Sequence, residues 1–165
     1  MKKTHTVLDE IVRLRKEDLE VLKKTKPLAS FAGEITQSER DFYHALKAPN
    51  ELHHRPAFIL ECKKASPSRG LIREDFDVAT IVKTYSPYAS AISVLTETRH
   101  FQGEFEFLTI AKTNSDKPIL CKDFIIDAYQ IKLARFYGAH AILLMLSVLT
   151  DEEYQALAEV AHSLN

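Results

Sequence analysis

Residues 58–70 read Phe-Ile-Leu-Glu-Cys-Lys-Lys-Ala-Ser-Pro-Ser-Arg-Gly. The stretch begins with three apolar residues, which is typical of a parallel strand buried on both faces. Glu61 and Lys63 lie two residues apart, so both side chains leave an extended strand on the same face. The Ser-Pro-Ser-Arg-Gly that follows indicates a turn. Ionisable side chains at the carboxyl end of a buried strand are costly unless they have a role, so this stretch is the first indication of an active site.

Strand and helix patterns alternate from this stretch onward. Asp77 and the Thr150–Glu153 capping box indicate the starts of two helices, and Gly138 indicates the end of another. Strands that are apolar on both faces and alternate with helices predict a parallel sheet with right-handed crossovers. The predicted strands cover 58–63, 89–96, 118–122 and 141–146, and the predicted helices cover about 77–85, 105–112, 127–137 and 150–163.

Two α/β architectures fit this pattern, an open doubly wound sheet and part of an eight-stranded (β/α) barrel. An open sheet usually carries a glycine-rich phosphate turn after its first strand, whereas the whole chain here has four glycines. Polar residues instead follow several strands at their carboxyl ends, which is where a barrel builds its site. We therefore favour the barrel. These strand-end residues are Glu61, Lys63, Thr96, Glu97, Lys122, Asp123 and Ser147.

The sequence predicts two regions, a helical extension over residues 1–50 and the first half of a barrel over residues 51–165. In the extension, an amphipathic helix over residues 5–25 carries many charges, which are typical of a solvated face. A second helix is predicted from Ser38–Asp41 to about Lys47, followed by a polar loop over residues 48–56.

A barrel of this kind needs about 250 residues, whereas the chain ends at Asn165, just after its fourth predicted helix. We expect a half barrel that is truncated, or that another copy completes. Its first and fourth strands would then be open apolar edges, which favour self-association.

Composition excludes several classes of protein. The chain has 165 residues, of which 45% are hydrophobic and 27% charged, with a net charge of −1. These values suit one soluble domain without a bias toward nucleic acid or acidic lipid. We expect a cytoplasmic location, because the start lacks a signal peptide and no apolar run is long enough to span a membrane. Cys62 and Cys121 are expected to be reduced, and the seven histidines show no metal-binding spacing.

Glu61, Lys63 and Lys122 are the candidate catalytic residues. The two lysines end the first and third strands, and alternate strands of a barrel contribute to the same interior layer. The ammonium groups are therefore expected to converge, with Glu61 pairing with Lys63. Two cations and a carboxylate suit an anionic substrate and a lysine that acts as a general acid. The alternative is that both lysines simply extend into solvent.

Candidate binding residues follow the strands. The hydroxyls of Ser66 and Ser68 suit a phosphate or carboxylate, although a turn of this composition is more often only a turn. Phe101 and Phe124 follow the second and third strands, where aromatic side chains either line a substrate pocket or pack under their own loops.

Four segments closely resemble indole-3-glycerol-phosphate synthase, particularly the enterobacterial type fused to phosphoribosylanthranilate isomerase. The resemblance runs from about Leu28 to the last residue. It implies a (β/α)8 barrel with an N-terminal helical segment. It also implies ring closure of 1-(2-carboxyphenylamino)-1-deoxyribulose 5-phosphate with loss of carbon dioxide and water, without metal or organic cofactor. The segments are residues 58–70, Ala-Ile-Ser-Val-Leu-Thr-Glu at 91–97, Phe-Gln-Gly at 101–103 and Pro-Ile-Leu-Cys-Lys-Asp-Phe-Ile-Ile-Asp at 118–127.

The resemblance also implies roles for individual residues. Lys122 would be the general acid, Lys63 would contact the substrate carboxylate, and Glu61 would orient that lysine. Ser66 would hold the anionic end of the substrate. The apolar wall around the anthranilate ring would consist of Phe101, Phe124 and Leu143.

The family's site residues from the fifth to the eighth strands would lie beyond Asn165, so we expect this chain alone to be inactive. Two other functions remain open. One is a Schiff-base aldolase with Lys122 as the nucleophile. The other is a non-catalytic half barrel that pairs its open edges with another chain.

Overall fold

The computed structural model describes residues 1–2 and 6–165. Helix α1 covers Val7–Thr25, and the hydroxyl of Thr6 caps it by accepting a hydrogen bond from the Leu8 N–H. The predicted start at His5 lies outside the described residues. Two short 3-10 turns follow, Leu28–Ser30 and Ala32–Glu34.

Helix α2 is longer than the sequence indicates. It covers Phe42–His53 with Asp41 as its N-cap, so the predicted end at Lys47 is wrong, and the predicted loop over residues 48–56 is wrong up to His53. Proline inside a helix removes one hydrogen bond and crowds the carbonyl of residue i−4, but the helix continues past Pro49 to His53. His54 ends the helix in the left-handed region at φ 51°, and its N–H donates to the Asn50 carbonyl at 3.0 Å.

The first strand, β1, covers Ile59–Cys62. The predicted turn after it contains a small antiparallel hairpin of β2 (Ala65–Ser66) and β3 (Gly70–Leu71). Six more elements follow in strict alternation of helix and strand. They are α3 (Val78–Tyr85), β4 (Ala91–Leu95), α4 (Glu106–Asn114), β5 (Ile119–Lys122), α5 (Ala128–Phe136) and β6 (Ala141–Ile142), and the chain continues into α6 (Asp151–His162).

The main sheet has the order β1-β4-β5-β6, and every neighbouring pair is parallel. Each new strand is added on the same side of the previous one, whereas a doubly wound sheet reverses direction at a switch point. The open doubly wound alternative is therefore wrong. The predicted α/β fold, a helical N-terminal segment and four β/α units of a (β/α)8 barrel, is confirmed.

The last strand is shorter than predicted. β6 contains only Ala141 and Ile142, which pair with Leu120 and Cys121 of β5, so the predicted strand over residues 141–146 is wrong beyond Ile142. The apolar run continues, but β5 itself ends at Lys122, so in the part of the chain that the structure describes, residues beyond Leu143 have no neighbouring strand on that side to pair with.

The two faces of the sheet separate core from site. Cys62, Val94 and Cys121 share one row across β1, β4 and β5 and are buried against the helices. Glu61 lies in the adjacent row opposite Ser93, and Lys122 lies opposite Leu95. Because side chains alternate along a strand, Glu61 and Lys122 leave from the face opposite the helices. None of the helices in the described ranges is long and apolar enough to cross a membrane.

Candidate active site

Glu61 joins the two candidate lysines. Its Oε1 atom accepts a hydrogen bond from Lys63 Nζ at 2.5 Å, and its Oε2 atom accepts one from Lys122 Nζ. β1 carries Glu61 and β5 ends in Lys122, and these strands are separated by β4. The structure thus brings together three side chains from the carboxyl ends of alternate strands, and we call them the Glu61 cluster.

The Glu61 cluster carries one positive charge in excess. Burial acts to raise the pKa of Glu61, but the hydrogen bonds and charges of Lys122 and Lys63 outweigh it, so the pKa lies below its ordinary value. The carboxylate is therefore ionised at neutral pH. The side chains of Glu61, Lys63 and Lys122 are 24%, 34% and 40% exposed, so a ligand in solution can reach them.

Phe101 and Phe124 pack against one another. Their ring centroids are 6.1 Å apart, and the rings lie at an interplanar angle of 43°. The carbonyl of Phe101 also accepts a hydrogen bond from the Ala65 N–H at 3.2 Å. The segments after β1, β4 and β5 therefore meet, and they place two aromatic rings at the same end of the sheet as the Glu61 cluster.

Ser66 and Leu143 lie near this end of the sheet without joining the Glu61 cluster. Ser66 belongs to β2, and its carbonyl closes the hairpin turn by accepting from the Arg69 N–H at 3.3 Å. Leu143 directly follows β6, and both side chains are half-buried.

Glu97 has a structural role that the sequence did not reveal. Its side chain is 1% exposed and accepts hydrogen bonds from the backbone N–H groups of Arg99, His100 and Phe101 at 3.1, 2.7 and 3.0 Å. One buried carboxylate thereby shapes the loop that carries Phe101. The sequence feature that could have indicated this role is an acidic residue directly after a predicted strand and four residues before an aromatic residue.

Arg15 is also missed by sequence reasoning. The charges of α1 fit a solvated face, but the Arg15 side chain is 1% exposed and its Nη2 atom lies 2.5 Å from Oδ2 of Asp123. That interpretation is therefore wrong for Arg15. The two residues are separated by 108 positions, so no local sequence pattern predicts this ion pair.

Within residues 1–2 and 6–165, no group of three or more His, Cys, Asp or Glu side chains is placed to hold a metal ion. Cys62 and Cys121 are free thiols, and burial raises the pKa of each to about 12. Neither thiol is therefore ionised at neutral pH.

A sheet wound in one direction, with a charged cluster at the carboxyl ends of its strands, defines a partial (β/α)8-barrel protein with a candidate active site in the usual place for that fold. The family model described as indole-3-glycerol phosphate synthase matches residues 8–165. The chain belongs to this family.

Curated relatives extend the match to nearly the whole chain. Tryptophan biosynthesis protein TrpCF of Yersinia pestis is 58% identical over 163 residues, which is 99% of this chain and 33% of the relative. The proteins of the same name from Salmonella typhi and Vibrio cholerae are 58% and 56% identical, each over 96% of this chain. The chain spans about a third of the length of these relatives.

Proposed function

We propose that this chain forms one wall of the active site of an indole-3-glycerol-phosphate synthase, a cytoplasmic lyase of tryptophan biosynthesis that needs no cofactor. The reaction closes the ring of 1-(2-carboxyphenylamino)-1-deoxyribulose 5-phosphate and releases carbon dioxide and water. The observation that carries the proposal is the position of the Glu61 carboxylate between Lys63 and Lys122.

Each residue of the cluster has a role in this proposal. Lys122 donates one proton as the general acid, to the substrate carbonyl or to the departing hydroxyl. Lys63 holds the substrate carboxylate until it leaves as carbon dioxide. Glu61 keeps both ammonium groups directed toward the reacting atoms, and the excess positive charge of the cluster suits a substrate with carboxylate and phosphate groups.

The surrounding residues bind rather than react. Phe101 and Phe124, already in contact, form an apolar wall for the anthranilate ring together with Leu143. Ser66 contacts the anionic end of the substrate. Such a wall orients the ring carbon next to the carbonyl it attacks, and orientation is a major part of enzymatic rate enhancement.

We further propose that this 165-residue chain alone is inactive, because a barrel site uses residues from most of its strands and the relatives are about three times as long. The test joins this chain to the remaining part of the Yersinia pestis relative and follows formation of indole-3-glycerol phosphate. We expect activity in the chimera and none in the isolated chain.

Lys122→Ala in the chimera should lower kcat by about 10²–10⁴-fold, the usual contribution of a general acid. Lys64→Ala is the matched control, since Lys64 is a neighbouring lysine outside the cluster. An unchanged rate for Lys122→Ala, or turnover by the isolated chain above its own Lys122→Ala variant, contradicts the proposal. A Schiff-base aldolase would instead show a borohydride-trapped adduct on Lys122. The ion pair of Lys122 with Glu61 argues against this alternative, because a paired ammonium group is a poor nucleophile.

A second proposal concerns self-association. In the described part of the chain, β1 and β6 each pair on one side only. Apolar side chains are exposed at the start of β1, where Phe58 and Ile59 are 53% and 44% exposed, and in the turn after β6, where Leu146 is 57% exposed. We propose that copies of the chain associate through these edges.

Light scattering coupled to size-exclusion chromatography tests this. We expect a mass above that of one chain, and a monomer for Ile59→Lys, which places a charge on the β1 edge. Leu52→Lys on α2, where Leu52 is 70% exposed, is the control and should leave the mass unchanged. A monomeric unmodified chain contradicts the proposal.

We also propose that the parent protein carries a phosphoribosylanthranilate isomerase region beyond these residues. The intact mass of the natural protein tests this. A mass near that of the TrpCF relatives is expected, and a mass that leaves no room for a second barrel contradicts it.

A further inference from the structure

Within the described residues, helix α1 is tied to the carboxyl ends of the strands by four ion pairs that differ in burial, and in the longest of them Glu17 lies 3.8 Å from Arg99. Asp18 pairs with Arg99 after β4, and Lys23 pairs with Asp127 before α5, with partly exposed side chains in both pairs. Arg15 and Asp123 are 1% and 0% exposed. The Arg15–Asp123 pair is therefore the one that lies inside the protein.

Asp123 connects three parts of the structure. Its Oδ2 atom accepts hydrogen bonds from Arg15 of α1 and, at 2.6 Å, from the hydroxyl of Thr96 at the end of β4. Its Oδ1 atom accepts from the Phe124 N–H at 2.8 Å. The Thr96 N–H in turn donates to the Lys122 carbonyl at 3.3 Å. The backbone is thus held on both sides of the Lys122 side chain.

Alternation along the strand relates Asp123 to Lys122. Consecutive residues of an extended chain project in opposite directions, and Lys122 reaches Glu61 while Asp123 reaches α1. A rotation of the backbone that freed Asp123 from α1 would therefore turn Lys122 away from Glu61.

Stability alone does not account for this arrangement. Burial raises the pKa of Asp123, and the charge of Arg15 with the Thr96 and Phe124 hydrogen bonds only partly opposes that effect. Buried ion pairs often stabilise a protein no more than apolar side chains of the same volume. A buried charge directly beside a proposed general acid points to a role in positioning.

We propose that Arg15 and Asp123 are positioning residues that hold Lys122 against Glu61, so that the N-terminal helix orients the proposed general acid. The inference rests on the proposed function in that Lys122 is taken as the acid. The coupling of Lys122 to Glu61 is measurable without substrate.

The test follows the titration of Glu61 by carbon-13 NMR in this 165-residue chain. Arg15→Met combined with Asp123→Asn removes both charges together and leaves no unpaired charge in the interior, so the double variant is expected to fold. Lys122→Met is the reference variant, because it gives the pKa of Glu61 in the absence of the Lys122 ammonium group. We expect the double variant to shift the pKa of Glu61 upward to the value in Lys122→Met.

Asp18→Asn is the matched control, because it breaks the partly exposed ion pair of Asp18 with Arg99 and should leave the titration of Glu61 unchanged. A folded double variant that titrates like the unmodified chain overturns the proposal, since a purely structural pair would change only stability. So does an unmodified chain that titrates like Lys122→Met.

Thr96→Val provides a second measurement if the double variant does not fold. It removes one hydrogen bond to Asp123 without changing side-chain volume, and a smaller upward shift is expected. An unchanged titration overturns the proposal. Failure of the chimera to form indole-3-glycerol phosphate would refute the proposed function, but it would not change the result expected from the Glu61 titrations.

Discussion

Gly103 occupies a position that has no room for a side chain. A β-carbon there would lie 2.3 Å from the carbonyl oxygen of Leu95 and 2.8 Å from the backbone nitrogen of Thr96. The Gly103 N–H also donates to the Glu97 carbonyl at 2.8 Å. The Phe-Gln-Gly motif is visible in the sequence, but the contact that requires glycine arises only when the loop folds back onto β4.

We predict that Gly103→Ala destabilises the protein by about 1–3 kcal/mol or more, because backbone atoms must move to admit the methyl group. Urea unfolding measures the loss. Gly33→Ala is the control, since a β-carbon at Gly33 meets nothing within 4 Å, and its effect should stay within about 0.5 kcal/mol. Equal stabilities for the two variants would contradict the prediction.

At the scale of elements, α1 depends more on one buried residue than on its exposed charges. Its apolar residues Ile11, Val12 and Leu19 are buried as its periodicity predicts, so the existence of the helix is readable from sequence. The burial of Arg15 is not, because its partner Asp123 belongs to the opposite end of the chain. Helix α2 is an opposite case, because the sequence suggests a helix end near Pro49, whereas the helix continues to His53.

We predict that Arg15→Met alone costs about 3–5 kcal/mol of unfolding free energy, because it leaves the Asp123 carboxylate buried without its partner. Asp18→Asn should cost less than about 1 kcal/mol, as is usual for ion pairs near the surface. Adding Asp123→Asn to Arg15→Met should recover most of the loss. Urea unfolding of the unmodified chain, the two single variants and the double variant measures these differences. Equal losses of stability in Arg15→Met and Asp18→Asn would contradict the prediction.

At the scale of the whole molecule, a buried histidine makes stability depend on pH. Burial, assisted by the charges of Arg40, Arg135 and Lys112, lowers the pKa of His140 to about 3. Its Nδ1 atom accepts a hydrogen bond from the Ile119 N–H at 3.0 Å, which requires the unprotonated ring nitrogen. The folded protein therefore excludes a proton that the unfolded chain binds near pH 6.5.

Stability should therefore be highest above about pH 6.5 and should fall as the pH decreases from there toward 3, by up to about 1.4 kcal/mol per pH unit from this residue. We predict that His140→Asn, whose side-chain oxygen keeps an acceptor without titrating, flattens this dependence between pH 7.5 and 5. Chemical unfolding across that range measures it. His44→Asn, at an exposed histidine of α2, is the control and should keep the pH dependence of the unmodified chain. The same pH dependence in His140→Asn would contradict the prediction.

The sequence by itself determined the alternation of strands and helices, the face of β1 that carries Glu61 and Lys63, and the family resemblance. These features depend on periodicity and on neighbouring residues, which any local stretch of chain already contains. Only the tertiary structure decided the direction of sheet winding, the early end of β6, the hydrogen bond from Lys122 to Glu61 and the pairing of Arg15 with Asp123. Each of these joins or depends on residues far apart in the chain, and such contacts form only when the packing of the whole molecule has closed the intervening loops.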